Sequence, residues 1–215
     1  MSRQKPLILI GGGGHACVLA DILLGQGREI LAVICPNEIS ARGIFAGIPH
    51  LTRDEDILQF AADSVLLVNG IGMLPHSTLR RRINLKFLEK GYCFETVIAS
   101  DAKVSSFAEV KSGAQILNGA RVHTGAVIAE HTIINTCALI EHDCHIGAYT
   151  HVAPKATVCG EVRMAEDVYI GANATLIQGL MLGPKSIVGA GAILTQSLNE
   201  GEICFPARSL IKEKI

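Results

Sequence analysis

From Val104 onward, a large aliphatic side chain recurs at every sixth position of the chain. The series runs without insertion through Val104, Val110, Ile116, Val122, Ile128, Ile134, Ile140, Ile146, Val152, Val158, Met164, Ile170, Leu176, Leu182, Val188 and Leu194. A second series, mostly of small residues, lies two positions earlier, as at Ala114, Ala120 and Ala126. This period is neither that of a helix nor that of an extended strand. It fits a short strand followed by a turn, so we expect three such units to complete one triangular coil.

Residues 1–95 follow another pattern, in which short apolar strands alternate with amphipathic helices. Strands are predicted at 7–10, 30–34 and 65–68, and helices at 16–24 and 77–90. In the second helix we expect Leu79, Ile83 and Phe87 to face inward and the three arginines 80–82 to be solvated. The sequence therefore predicts a small Rossmann-like α/β domain (1–95), a left-handed parallel β-helix of hexapeptide repeats (96–198) and a C-terminal tail (199–215).

Composition narrows the function classes. Hydrophobic residues make up 49% of the chain and the net charge is −1, with aromatic residues at 4% and no Trp. A chain of this composition lacks the excess of Lys and Arg that neutralises phosphates, and it has few aromatic side chains on which bases could stack, so nucleic-acid binding is disfavoured. No apolar run is long enough to span a bilayer, and no signal peptide is recognisable. The seven cysteines are odd in number and unpaired in spacing, so we expect reduced thiols and a cytoplasmic location.

A run of four glycines, Gly11–Gly14, followed by His15, lies between the first strand and the first helix. At such a junction free backbone N–H groups and the helix N-terminus attract phosphate. The run lacks the spacing of a dinucleotide fingerprint, and a turn required only for packing remains the alternative. We predict a phosphate-bearing substrate at Gly13, Gly14, His15 and Gly72, the last of which follows the third strand.

Among the histidines of the repeats, His142 has the pattern of a general base. It lies two residues past the inward Ile140 and so points outward, with Glu141 and Asp143 beside it. A carboxylate on one imidazole nitrogen raises the basicity of the other. One coil above, Gly160 leaves room over the ring.

His151 lies half a coil from His142, on the other side of the prism. Within one chain the two cannot meet, whereas neighbouring prisms of a trimer could bring them together. Outward aliphatic residues such as Ile133, Leu139 and Ile177 also favour a covering partner. We therefore predict a homotrimer with its sites between subunits. The histidine spacings do not match the converging imidazoles of zinc-dependent β-helix enzymes, so we predict no metal.

Three segments carry a resemblance across nearly the whole chain: 9–15, 134–144 with His151, and Pro206-Ala207-Arg208. They resemble the bacterial nucleotide-sugar acetyltransferases of the sialic-acid O-acetyltransferase type, and most of all the UDP-4-amino-sugar N-acetyltransferases. The resemblance implies acetyl-CoA as cosubstrate, His142 as catalytic base and Asp143 as its supporting acid. It also implies nucleotide-sugar contacts at the glycine loop and a coenzyme A groove at His151, Gly171, Ala172 and Ala190.

The expected activity is therefore N-acetylation of the 4-amino group of a nucleotide-linked amino-dideoxy sugar for surface glycan biosynthesis. A UDP-linked sugar is favoured and a GDP-linked one, such as a perosamine, is the alternative. Two other functions stay open at this point: O-acetylation of a sialic-acid-type sugar, and non-catalytic binding by the β-helix. Cys35 and Pro36 stand where relatives carry acidic residues, so the sequence does not name the nucleotide.

Overall fold

A computed structural model describes residues 4–39 and 42–207 of the chain. Arg208, part of the resemblance in the tail, lies outside the described residues. The chain folds as a small α/β domain followed by a left-handed parallel β-helix, as the two hydrophobic periods predict.

The N-terminal domain is a four-stranded, all-parallel sheet in the order β3-β2-β1-β4. Its strands are β1 (Leu7–Ile10), β2 (Ile30–Ile34), β3 (His50–Leu51) and β4 (Leu66–Asn69). Its helices are α1 (Gly14–Gly25) and α2 (Leu79–Leu88), with short 3-10 turns at Gly43–Phe45 and Asp54–Gln59. The strands are apolar on both sides because helices or turns cover both faces of a parallel sheet.

The β-helix consists of two-residue strands on three faces, and strands one coil apart pair in parallel, as His145 pairs with Arg163. Face I contains β5 (Val97–Ile98), β8 (Gln115–Ile116), β11 (Ile133–Ile134), β14 (His151–Val152), β17 (Tyr169–Ile170), β20 (Ile187–Val188) and β22 (Ile203–Cys204). Face II contains β6 (Lys103–Val104), β9 (Arg121–Val122), β12 (Leu139–Ile140), β15 (Thr157–Val158), β18 (Thr175–Leu176) and β21 (Ile193–Leu194). Face III contains β7 (Glu109–Val110), β10 (Val127–Ile128), β13 (His145–Ile146), β16 (Arg163–Met164) and β19 (Met181–Leu182). Part of the predicted tail thus adds a strand, β22, to face I.

The prism interior is filled as predicted. From Ile116 to Leu194 every member of the large aliphatic series is buried, and Ala114, Ala120 and Ala126 are fully covered beside them. Burying one such aliphatic side chain contributes about 1.5–3 kcal/mol before conformational entropy is counted. The stacked coils therefore supply a continuous core and a rigid support for side chains on the corners.

The glycines that directly follow inward aliphatic residues at the prism corners are needed for space. Gly147 and Gly171, which directly follow inward aliphatic residues, do not have a positive φ. A side chain at Gly147 would instead collide with the backbone of the next coil, at 2.2 Å from the Ala165 carbonyl oxygen. The left-handed position of these turns is the third residue after the inward aliphatic; in the turn after Ile140 it is Asp143, with a φ of 59°.

The N-terminal domain packs on the lower coils of face I. Ile133 is fully buried there against the domain's core, so it needs no subunit to cover it. Leu139 and Ile177, the other two aliphatic residues predicted to need a partner, are half-buried. Arg81 on α2 adds an ion pair with Glu166 at 2.8 Å and one with Asp167, and its guanidinium lies 4.7 Å from the centre of the Tyr149 ring.

The prediction for the arginines of α2 was wrong at one position. Arg80 is only 3% exposed and lies in the interface between the two domains, while Leu79, which was predicted to face inward, is 39% exposed. Arg80, Ile83, Asn84 and Phe87 share one buried stripe of the helix. These four positions have the spacing of one helix face. The prediction missed this face because three consecutive arginines are usually solvated.

Candidate active site

His142 lies on the turn between faces II and III, the corner opposite face I. The side chain is half-exposed, and its Nδ1 is 2.8 Å from Asp143 Oδ2. Since an ionised carboxylate only accepts, Nδ1–H is the donor, and the Nε2 lone pair is left to accept a proton. This hydrogen bond, followed by the negative charges of Asp143, Glu141 and Glu161, raises the pKa of His142 above its ordinary value.

Two glycines make room for this pair. A Cβ at Gly160, one coil above, would lie 2.6 Å from His142 Nε2. A Cβ at Gly125, one coil below, would collide with the carboxylate of Asp143. The space over the ring that Gly160 was expected to leave for a ligand is thus taken up by the imidazole itself. Glu141 instead faces His123, with 3.7 Å between Oε2 and Nδ1.

A cleft of about 430 Å³ separates the glycine loop from face I. Among its lining residues are Gly13, Gly14, His15 and Gly72, the predicted phosphate-binding set, together with Asn135 and His151. No acceptor in the described part of the chain takes the backbone N–H of Gly13, Gly14 or His15. These free donors at the N-terminus of α1 form a site that suits an anion.

Two histidines of the cleft have their hydrogen bonds fixed by neighbours. His15 Nε2 lies 2.7 Å from Gln115 Oε1. His151 Nδ1 lies 3.2 Å from the Met73 carbonyl oxygen, and Nε2 lies 3.0 Å from Asn135 Nδ2. The carbonyl can only accept, so His151 carries its proton on Nδ1 and accepts at Nε2. Burial lowers the pKa of His15 to about 3 and that of His151 to about 4, and both rings are therefore neutral at pH 7.

Gly171, Ala172 and Ala190 lie together on the corner between faces I and II. A Cβ at Gly171 would be 2.4 Å from the Ala190 backbone nitrogen, which shows how closely the coils stack there. Asn135 of the cleft occupies the same corner two coils below Gly171. Gly171, Ala172 and Ala190 thus lie on the same corner of the prism as Asn135 of the cleft. His142 lies on a different corner, between faces II and III.

Four polar residues at or behind the cleft were not identified from the sequence: Asn135 lines it, and Asn69, Arg80 and Gln115 are buried behind it. Asn69 and Gln115 meet through a 2.8 Å hydrogen bond between residues far apart in the chain. The available signal was the column of outward residues on face I, whose members Val97, Ile133 and Tyr169 are apolar or aromatic. Apolar side chains in an outward column indicate that another part of the protein covers that face. A polar residue in the same column, such as Gln115, is then expected to contact the covering domain.

In the described part of the chain, no three His, Cys, Asp or Glu side chains form a group that could hold a metal ion. None of the described helices is long and apolar enough to cross a membrane.

No protein-family model matches the chain. A tetrahydropyridine-2,6-dicarboxylate N-acetyltransferase of Staphylococcus aureus is 35% identical over 65 residues, which is 26% of this chain and 27% of the relative. A galactoside O-acetyltransferase of Lactococcus lactis is 29% identical over 55 residues, again 26% of this chain and 27% of the relative. The chain thus matches only about a quarter of the length of these curated relatives.

Solved structures are similar over nearly the whole chain. The acetyltransferase domain of PglB from Neisseria gonorrhoeae, in complex with acetyl coenzyme A, has a TM-score of 0.84 and 25% identity, with coverage of 97% of this chain and 100% of that one. PerB from Caulobacter crescentus, in complex with CoA and GDP-perosamine, has a TM-score of 0.82 and 26% identity, with 94% of each chain covered. The two-domain architecture is therefore that of β-helix sugar acetyltransferases.

Proposed function

We propose that the protein is an acetyl-CoA-dependent N-acetyltransferase that acts on the 4-amino group of a nucleotide-linked amino-dideoxy sugar. The main support is the His142–Asp143 pair, in which the carboxylate accepts a hydrogen bond from one nitrogen of an exposed imidazole and leaves the other nitrogen free to act as a base. The whole-chain similarity to sugar acetyltransferases with bound CoA or acetyl coenzyme A supports the same chemistry.

The proposed reaction needs one base and no covalent intermediate with the enzyme. The sugar amine attacks the thioester carbonyl carbon, a C–N bond forms and the C–S bond breaks. His142 Nε2 takes the proton of the attacking amine, and the coenzyme A thiolate receives a proton as it leaves. Asp143 holds the ring in the required tautomer and stabilises the imidazolium. Cys144 is buried in the prism, and burial raises the pKa of its thiol to about 11, so it is not a nucleophile here.

The cleft supplies the nucleotide-sugar site in this proposal. The free N–H groups of Gly13, Gly14 and His15 face the diphosphate, and Gly72 lies beside His15 on the same side of the cleft. Acetyl-CoA extends along the corner formed by Gly171, Ala172 and Ala190, with His151 at its lower end. UDP is favoured from the sequence resemblance, while the bound GDP-perosamine of PerB makes GDP the alternative.

The proposal includes a homotrimer, because His142 and the cleft lie on opposite sides of one prism. His151, on the face I side of the cleft, has both ring nitrogens hydrogen-bonded within its own subunit. It is therefore a poor substitute for a base, and the cleft needs His142 from a neighbour. Met181 and Ile193 are 63% and 69% exposed on faces III and II, where a neighbouring prism would cover them.

The test is acetyl transfer by His142→Ala, measured with 4-amino sugars linked to UDP and to GDP and with free sialic acid. Loss of a positioned base should lower kcat by about 10²–10⁴-fold with folding and coenzyme A binding retained. His145→Ala, which removes another exposed histidine of the same surface, is the matched control and should keep wild-type turnover. Near-normal turnover by folded His142→Ala would reject the base assignment. Acetylation of sialic acid alone would support O-acetylation, and no turnover on any acceptor would support a binding protein.

A further inference from the structure

Arg80 carries a buried positive charge that has no carboxylate partner among the described residues. Its side chain is 3% exposed, and no ion pair involves it. Burial lowers its pKa to about 9, which leaves the guanidinium charged at neutral pH. A lone buried cation is costly, so its retention needs a reason beyond packing.

The partners of Arg80 are backbone carbonyls: two belong to the segment beside the cleft, and the third is the His131 oxygen in the β-helix, 3.5 Å from Nη2. Nη1 donates to the Asn69 oxygen at 2.9 Å and to the Ile71 oxygen at 2.7 Å. Asn69 Oδ1 accepts from the Ile71 N–H at 2.9 Å, and Asn69 Nδ2 donates to Asn84 Oδ1 at 2.6 Å. Segment 69–71 is therefore held from several directions by buried groups.

The fixed carbonyl of Ile71 determines where the next amide points. The Ile71–Gly72 peptide is not cis, so its N–H is directed opposite to its C=O. Because the oxygen faces Arg80 in the interior, the Gly72 N–H faces away from it. Gly72 is exposed and lines the cleft, and no acceptor in the described part of the chain takes this N–H.

The same network reaches the glycine loop through Gln115. Gln115 Nε2 donates to the Asn69 oxygen at 2.8 Å, and Gln115 Oε1 faces His15 Nε2 at 2.7 Å. The Asn69 oxygen thus accepts from both Arg80 and Gln115. Through these bonds one guanidinium is linked to both glycine segments of the cleft.

We propose that Arg80 is a positioning residue for the anionic part of the substrate. It fixes the Ile71–Gly72 peptide so that the Gly72 N–H points at a phosphate of the nucleotide sugar, and its charge is complemented by that phosphate. The inference rests on the proposed function for the identity of the ligand. Arg80 itself does not touch the reacting atoms.

The first experiment measures binding of UDP, GDP, inorganic pyrophosphate and the neutral nucleosides uridine and guanosine by calorimetry. Arg80→Met should weaken binding of the nucleotide that the wild type prefers, and of pyrophosphate, by about tenfold or more. Nucleoside binding and the KM for acetyl-CoA should not change. Arg80→Lys keeps the charge but loses the planar fork, so binding should recover only in part. Arg82→Met, an exposed arginine on the same helix, is the matched control and should bind like the wild type.

A second pair of variants tests the peptide directly and does not depend on the stability of Arg80→Met. Gly72→Pro removes the N–H, whereas Gly72→Ala keeps it and meets only the His15 Cβ at 3.6 Å. We expect Gly72→Pro to weaken nucleotide and pyrophosphate binding at least about tenfold, and Gly72→Ala, which narrows the cleft but keeps the N–H, to weaken it clearly less than Gly72→Pro. Unchanged binding in folded Arg80→Met, or in Gly72→Pro when Arg80→Met does not fold, overturns the inference. A wild type that binds neither nucleotide and transfers no acetyl group overturns the proposed function instead.

Discussion

At the residue scale, the candidate base is set by its neighbours on adjacent coils as much as by its own side chain. Gly160 lies against the His142 imidazole and Gly125 against the Asp143 carboxylate. Because coils repeat in strict register, a glycine one coil away decides whether the side chain has room on the corner. The His142–Asp143 pair is thus held between glycines of the two neighbouring coils, and replacing one of these glycines should disturb the pair.

Gly160→Ala should displace the His142 ring without unfolding the prism. The new Cβ would stand 2.6 Å from Nε2, and the flexible imidazole would move more readily than the backbone. A displacement of about 1 Å at a reacting group costs up to about 10²-fold in rate. We therefore expect kcat to fall about 10- to 100-fold while the melting temperature changes little. Gly25→Ala, where an added Cβ meets nothing within 4 Å, is the control; equal kcat in the two variants would contradict the prediction.

Asp143→Asn should change the pH dependence of turnover as well as its size. The carboxylate raises the pKa of His142, and a base must be neutral to act, so activity falls as the pH drops below that raised value. Without the carboxylate the pKa of His142 falls, and the acid limb of kcat/KM should move to lower pH. Glu141→Gln, which removes a more distant charge, should move it less in the same direction. An acid limb that stays in place in Asp143→Asn would show that another group controls it.

The sequence could identify this pair because the hexapeptide period fixes which residues point outward. It could not identify Arg80, because a run of three arginines in a helix is usually solvated. The partners of Arg80 are backbone oxygens of Asn69, Ile71 and His131, and backbone acceptors have no signature in a sequence. The contact between His15 and Gln115 likewise requires knowledge of how the two domains dock.

At the scale of elements, the three faces of the prism differ in their outward residues. On face I the outward positions include Val97, Ile133 and Tyr169, whereas face II begins with Lys103 and Arg121. The apolar column of face I is the surface on which the N-terminal domain packs. The repeat itself was predictable residue by residue, because each inward position must be filled. The docking face was predictable only from this contrast between columns.

The docked interface should lose stability in acid. Burial lowers the pKa of His131 and of His151 to about 4, from an ordinary value of 6.5. Below pH 6.5 the unfolded chain binds protons that the folded chain does not, so stability is complete above that pH and declines toward about pH 4. Each histidine should lower the free energy of unfolding by about 2 kcal/mol between pH 7 and pH 5. Urea unfolding at the two pH values measures this loss.

A matched pair of variants isolates one of these histidines. His131 has a φ of 59° and stacks on Tyr149, with ring centres 5.0 Å apart. Asn tolerates this backbone conformation, so His131→Asn should fold with lower stability at pH 7 but a smaller loss between pH 7 and pH 5. His145→Asn, at an exposed position, should keep the wild-type difference. An unchanged difference in His131→Asn would contradict the assignment of the acid sensitivity to this ring.

At the scale of the whole molecule, the two halves of the proposed site lie on opposite sides of one chain. The cleft is on face I with β14, and His142 is on the corner between β12 and β13. A rigid prism offers no motion that could bring them together, because every coil is bonded to the next along all three faces. The proposed site is therefore complete only if the His142 of one subunit reaches the cleft of a neighbouring subunit.

Mixed oligomers of two inactive variants answer that question. His142→Ala removes the base and leaves the cleft intact. Gly13→Val narrows the cleft and leaves the base intact, and the added side chain is tolerated because a Cβ at Gly13 meets nothing within 4 Å. If each site takes His142 from one subunit and the cleft from the next, a mixed trimer contains sites in which both partners are wild type. Every trimer that contains both variants has the base and the cleft intact in about one third of its sites, whichever variant is present twice.

The two variants should be co-expressed with different affinity tags, and the doubly tagged oligomers purified and assayed beside each variant alone. We expect each variant alone to be nearly inactive and the mixed oligomers to recover a substantial fraction of wild-type turnover per site. A site made within a single subunit predicts a different result, because no subunit in the mixture carries both an intact His142 and an intact cleft. Mixed oligomers as inactive as their parents would therefore contradict the intersubunit site, even if light scattering shows a trimer. Recovery near one third would mean that the half-coil offset between His142 and His151, visible in the repeat itself, is the feature that makes catalysis depend on assembly.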